Sequence, residues 1–242
     1  MIARIIWLGA LLAIALLTAM LQLDKQSETT PALAQAVPGP LRDFAQTRVT
    51  AAAIESGDPA TALAEAERLV RRRPVPAEYL TLLAVAQAKA GQAEQAAMTI
   101  QIAGQRGWRE PLAQETVLRL ALQAGDEAEA PRRYAALFLR SATPDQLLVE
   151  LGPQVLGNPS GAGRHTIADI VSGAERWHNL FLRRGLQVMP NDPFIEIVST
   201  SMTQGAAFDC GLLAQTVKGL RQRDPAAAAQ LQQAISPRCD ES

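Results

Sequence analysis

The chain has 242 residues, 19% of them charged and 4% aromatic, with a formal net charge of -1. That length allows one substantial core or a short solenoid. The near-neutral balance argues against a nucleic-acid surface, which needs clustered positive charge.

The first informative stretch is 5–23, IIWLGALLAIALLTAMLQL, which carries no charge. At 1.5 Å per residue it covers about 28 Å, close to the ~30 Å hydrocarbon core of a bilayer. Arg4 and the amino terminus precede it, and Asp24 and Glu28 follow. This pattern predicts a single anchor in an inner membrane with the body outside the cytoplasm, in the periplasm, although Lys25 opposes the charge step. The alternative is a signal peptide cleaved at Ala32-Leu33-Ala34 or Ala34-Gln35-Ala36, with the body secreted. The apolar run is longer than a signal usually carries, and those sites lie far beyond it. No cysteine follows the run closely, which argues against a lipoprotein. From 24 to 39 the chain is polar and then proline-rich, and reads as a flexible linker. Pro40 can open the first helix of the body.

The body carries an internal period. Gly57, Gly91 and Gly125 are spaced by 34 residues. Five residues after each glycine stands an alanine: Ala62, Ala96 and Ala130. Nine after come Ala66, Ile100 and Tyr134, and twelve after come Leu69, Ala103 and Leu137. A fixed interval of this size marks stacked copies of one small unit. The physical reading is a helix pair per copy. Glycine ends the first helix because it tolerates the left-handed backbone of a short turn. The alanine sits where the two helices approach most closely, and the later apolar positions pack on the next copy. The expected helices are 40–56, 59–73, 76–90, 93–106, 111–124 and 127–140. Alanine richness favours helix throughout, and no alternating run of β-branched residues reads as strand.

These offsets resemble the tetratricopeptide repeat family, over 40–141. The closing proline of that pattern stands only in the first copy, at Pro74. Trp108 and Ala142 take its place in the others. The resemblance implies an all-α helical-hairpin solenoid whose first helices line a concave groove. Carried over by offset, the partner-binding groove would present Thr47, Glu55, Glu78, Thr81, Lys89, Glu115, Arg119 and Gln123. That mixed polar surface lacks the basic and asparagine set with which some members clamp a C-terminal carboxylate. It suits a protein segment as ligand.

Past Ser141 the repeat loses phase. Thr143-Pro144-Asp145 starts another helix, LLVELGPQVL, and helices are expected near 165–188, 193–204, 210–222 and 226–235, forming a degenerate repeat and a helical cap over 142–242. The loop 157–163, GNPSGAG, is followed by Arg164-His165 and preceded by a helix. A phosphate loop would need lysine and Ser/Thr there, after a strand. Cys210 and Cys239 are the only cysteines. Asp209 can cap a helix opening at Cys210, and Asp224-Pro225 can open a second. Two such helices joined by a short turn lie antiparallel, so a disulfide is expected. The alternative is two buried thiols.

Catalytic candidates are few. His165 and Asp169 share one helix face at a spacing that could serve a metal or a base. This gives the reading of an envelope enzyme, against the plainer one of a surface pair. Arg68, Arg71 and Arg72, joined by Arg73, could hold a carbohydrate or a lipid headgroup, or simply face water near a helix C-terminus. No cofactor, metal, nucleic acid or small-molecule substrate is evident, and the chain is not expected to be an enzyme. The preferred reading is a membrane-tethered, periplasmic protein–protein interaction scaffold. By resemblance to small anchored repeat proteins of bacterial envelopes, it would support exopolysaccharide secretion, outer-membrane assembly or cytochrome maturation.

Overall fold

In the computed structural model, which describes residues 2–239, every regular element among the described residues is helical. The apolar run lies in α1 (Ile2–Gln26), whose large side chains from Ile2 to Leu21 are exposed. It is the one helix among the described residues long and apolar enough to cross a membrane. Twelve further α-helices follow among the described residues, six in the repeat region and six beyond it. They are α2 (Phe44–Ser56), α3 (Pro59–Arg72), α4 (Ala77–Lys89), α5 (Ala93–Arg106), α6 (Pro111–Ala124) and α7 (Glu129–Phe138). Then come α8 (Asp145–Leu156), α9 (Ala162–Ser172), α10 (His178–Val188), α11 (Asn191–Thr203), α12 (Cys210–Arg223) and α13 (Pro225–Cys239). The chain divides into two units, one ending at Gly107 and the other beginning at Trp108.

In the first unit α2 packs on α3, α3 on α4 and α4 on α5. The turns are made by the spaced glycines. Gly57, Gly91 and Gly125 have φ of +85°, +78° and +68°, a region that costs any residue with a Cβ. After the second and third, the next amide reaches back to a carbonyl of the finished helix, Gln92 to Gln87 and Asp126 to Ala121. That 6→1 bond satisfies a carbonyl the helix end would leave unpaired. Ala62, Ala96 and Ala130 are buried, as are Ala66, Ile100 and Tyr134 and then Leu69, Ala103 and Leu137. Much of the first unit's core is alanine, with Ala53, Ala62, Ala66 and Ala86 in one cluster. Methyl-sized side chains at these positions let the helix backbones come close.

The segment expected to be a flexible linker, 24–39, is packed instead. It forms 3-10 turns at Pro31–Ala36 and Gly39–Leu41, and Ala34 and Val37 are buried against Ala45. The reason is Asp24. Its carboxylate accepts hydrogen bonds from the backbone N–H groups of Asp43, Phe44 and Ala45 at 2.9, 3.1 and 3.0 Å. Asp43 makes no side-chain cap of its own, so Asp24 caps α2 from across the fold.

The second unit has larger side chains in its core. Phe181 stacks on Phe194 with ring centroids 5.6 Å apart and tilts on Phe138 at 5.7 Å. Tyr134 is fully buried and donates to the Leu148 carbonyl, and burial pushes its phenol pKa well up. The single helix expected over 165–188 is two. The chain leaves α9 at Gly173, Ala174 is extended, and a 3-10 turn at Glu175–Trp177 leads into α10. This break puts His178 against Phe208 at 4.9 Å and Phe181 into the core. Helix α9 also begins three residues early, because Gly163 fits where a Cβ would meet the Val155 carbonyl at 2.1 Å.

The C-terminal pair α12–α13 is built from its caps. Asp209 accepts from the Leu212 amide at 2.6 Å and Asp224 from the Ala227 amide at 3.0 Å. Cys210 and Cys239 are disulfide-bonded with Cα atoms 5.6 Å apart. The Asp224 carboxyl is held below its ordinary range, first by the Ala227 amide and then by Asn191. A lowered folded pKa stabilises above the unfolded value and is lost as pH falls through the folded one. Asp224→Ala should therefore lower the melting temperature at neutral pH, and the difference from the parent should fade as pH drops below the ordinary carboxylate pKa of about 3.9 and through the lowered folded one. Thermal unfolding followed across that range checks it.

The repeat geometry makes a paired prediction. Ala96 is 8% exposed while Glu94 is exposed on the same helix. Ala96→Arg should cost several kcal/mol by overpacking and burying a charge, roughly 3 or more. Glu94→Arg should change stability by less than about 0.5 kcal/mol. Equal shifts in denaturant midpoint for the two would overturn the register.

Candidate functional site

The groove positions expected from the glycine offsets fall in both units. In the first, Thr47 is half-buried on α2, and Glu55, Glu78 and Lys89 are exposed on α2 and α4. The Lys89 ammonium donates to the Ile54 carbonyl at 2.5 Å, tying α4 to the end of α2. Thr81 is a correction. It is 4% exposed and its hydroxyl bonds back to the Ala77 carbonyl at 3.1 Å, so it offers nothing to a partner. One position along a helix rotates a side chain by 100°, and Thr81 lies on the side that meets the neighbouring helices. Beneath this face a polar knot joins α2 to α3. The Gln46 amide donates to the Glu65 carboxylate at 2.7 Å and to its carbonyl at 3.2 Å, and Thr50 donates to the same carbonyl.

In the second unit Glu115 and Arg119 are half-buried and Gln123 is exposed on α6. Arg119 bridges two carboxylates, Glu115 at 3.0 Å and Glu150 of α8 at 2.9 Å. Those hydrogen bonds, Glu150's first, raise the guanidinium pKa further. The triad is partly exposed, so its stabilising effect is small, and it leaves a surface of alternating sign.

The arginine face does not present a cluster of unpaired cations. Arg68 pairs with Glu65 at 2.5 Å, Arg71 with Glu67 at 3.3 Å and Arg73 with Asp43 at 3.7 Å. Arg72 instead donates to the backbone carbonyls of Arg42 and Gly39. This last contact belongs to a pattern. Arg106 donates to the Pro74 carbonyl at 2.9 Å and Arg140 to the Arg109 carbonyl at 2.5 Å. Arg72, Arg106 and Arg140 stand 34 residues apart, each at or just past the end of a second helix and each reaching the loop that leads into the first. Arg238 closes α12–α13 in the same way on the Ala206 carbonyl at 3.3 Å. Sequence reasoning missed this role although its signal, a third residue type on the 34-residue interval, was present.

His165 and Asp169 do not converge on a third ligand. Both are exposed on α9, and Asp169 accepts from the Gln204 amide at 2.6 Å. Among the described residues no group of three His, Cys, Asp or Glu could hold a metal ion. His178, the other histidine, is buried with Nδ1 3.1 Å from the Ala207 carbonyl. A carbonyl can only accept, so Nδ1 carries the proton in this contact. A cavity of about 170 Å³ lies in the second unit among Leu122, Asp126, Val155 and Gly163. It is smaller than the ~300 Å³ at which ligand sites usually begin.

A further residue the sequence did not mark is Arg184. It is 8% exposed and donates to the carbonyls of Phe138, Arg140 and Thr143 and to the Asp145 carboxylate. One guanidinium thus ends α7 and starts α8. Comparison with family models, with curated proteins and with solved structures finds no match to any of them.

Arg184→Met should cost about 3 kcal/mol, because it leaves buried carbonyls unpaired. Arg176→Met, which removes only a stacking contact on Trp177 at 4.6 Å, should cost under about 1 kcal/mol. Urea unfolding of the two variants distinguishes the buried fork from the surface cation.

Proposed function

We propose that this chain is a membrane-anchored helical scaffold of the tetratricopeptide kind, whose body stands in the periplasm and holds a protein partner of an envelope export or assembly system. The observation that carries the reading is the coincidence of three features on one 34-residue interval: a left-handed glycine, a buried alanine and a loop-closing arginine. A chance bundle of alanine-rich helices gives no reason for all three to keep phase. The exposed faces of α2 and α4 carry Glu55, Glu78 and Lys89 beside half-buried Leu82 and Val85. Such a face suits a peptide segment with apolar anchors and mixed charge.

The anchored reading is favoured over cleavage by Asp24. Both small-residue cleavage sites lie in the 3-10 turn at Pro31–Ala36, which packs on α2. Cutting there would remove the carboxylate that caps α2 and uncover Val37, which is fully buried. A disulfide at Cys210–Cys239 fits an oxidising compartment.

Three measurements test the proposal. A reporter active only in the periplasm, fused after Ser242, should be active, and activity of a cytoplasm-only reporter reverses the topology. Intact mass of the membrane-extracted chain should include α1, and Asp24→Ala should cost about 2 kcal/mol, the upper end of helix-cap effects. Photo-crosslinkers placed at Glu78 or Lys89 should trap one recurrent protein in cells, while one at Glu94 on the outer side of α5 should not. Equal trapping from both faces would remove the groove from the account.

A further inference from the structure

We infer that the layer of the first unit beside the anchor is a contact surface for anionic phospholipid headgroups, an inference that rests on α1 spanning the bilayer. Asp24 follows directly on the last residue of the apolar run, Leu23, and its carboxylate holds the N-terminus of α2 at hydrogen-bond distance. The start of the body is therefore fixed at the depth where hydrocarbon gives way to headgroups, with no loose tether between them. The cations tied to this level are specific. Lys25 is the next residue of α1 and is exposed. Arg42 adjoins the capped N-terminus and donates to the Val37 carbonyl at 2.8 Å. Arg48 donates to the carbonyl of Glu28, one turn past Asp24, at 2.6 Å. Arg72 donates to the carbonyls of Gly39 and Arg42.

The partners of these arginines separate them from the rest of the arginine face. Arg68, Arg71 and Arg73 are neutralised by carboxylates. Arg42, Arg48 and Arg72 meet neutral carbonyls, which fix each guanidinium in place and leave its charge whole. A guanidinium has five N–H donors, so those not spent on carbonyls remain for phosphate oxygens. The acids at the same level are largely committed: Asp24 is buried in the cap, and Asp43 faces Arg73. Glu28 is the exposed acid that remains in the segment between α1 and α2. Cations held rigidly at headgroup depth favour anionic lipid by about fivefold each.

The full-length chain reconstituted in bilayer nanodiscs tests this by amide hydrogen exchange. With phosphatidylglycerol present, amides of 37–50 should exchange at least about fivefold more slowly than in phosphatidylcholine alone. Lys25→Gln with Arg48→Gln should shrink that difference markedly, Arg42 and Arg72 holding the remainder, while Arg68→Gln with Arg71→Gln should keep it whole; an undiminished difference in the first pair overturns the assignment to these cations. Equal exchange in the two lipids, with the chain retained in the discs, overturns the headgroup contact and leaves the anchor standing. Failure of the chain to be retained in either disc removes the anchor and the contact together. The same slowing in detergent on adding inorganic phosphate would assign the surface to a free anion and overturn the lipid.

Discussion

The repeat region depends on how closely two helices can approach behind a left-handed turn. A glycine at positive φ reverses the chain in few residues, so the second helix starts almost against the first. At that spacing the facing position has room for a methyl group and little more, and it is occupied by Ala62, Ala96 and Ala130. The apolar area each alanine buries is small, so the first unit's core gains little from any one of them. Its cohesion comes from many short contacts along well-matched backbones, in the manner of close-packed solids. Alanine also has the highest helix propensity, so the residue that permits the approach costs the helix nothing.

Closure of each pair at its open end falls to arginine. The turn fixes one end of a hairpin, and without a second tie the far ends could splay. Arg72, Arg106, Arg140 and Arg238 each reach a carbonyl in the loop that leads into the pair, and so draw the far end shut. The carbonyls lie in loops, where no ladder supplies a partner, so the bond satisfies an acceptor as well as fixing geometry. Arg184 does the same work with four acceptors where the phase is lost and α8 must be redirected. Beyond Ala130 the second unit's core is built on Tyr134, Phe181 and Phe194, and this buried fork sits at the change of direction.

What the sequence made legible follows from range. Turns and caps act over a few residues, so Gly91, Asp209 and Asp224-Pro225 gave helix limits that stand within about a turn of those observed. The cysteine pairing was readable for the same reason, since both helices of its hairpin carry their own start signals. Asp24 was not readable as a cap because its amides lie 19 to 21 residues away, behind a proline-rich stretch that looks like linker. Thr81 was misplaced because an offset rule fixes a helical position only to within a residue, and a residue is 100°. The closing arginines kept the period but sat in a charge run, where local reading sees solvation and not a carbonyl about thirty residues back.

The joint at Asp24 bears on the proposed scaffold. A flexible tether would let the body sample many orientations above the membrane, so a partner would pay the entropy of ordering it. A carboxylate shared by three backbone amides removes that freedom at its source. The buried Val37 and Ala34 contacts remove it over the following turns. On the proposal that α1 lies in a bilayer, the first unit would present α2 and α4 at a fixed height and angle. In that proposal, binding energy that would otherwise go into orientation would be left for the contact itself, which is where an alternating polar face of modest apolar content would need it.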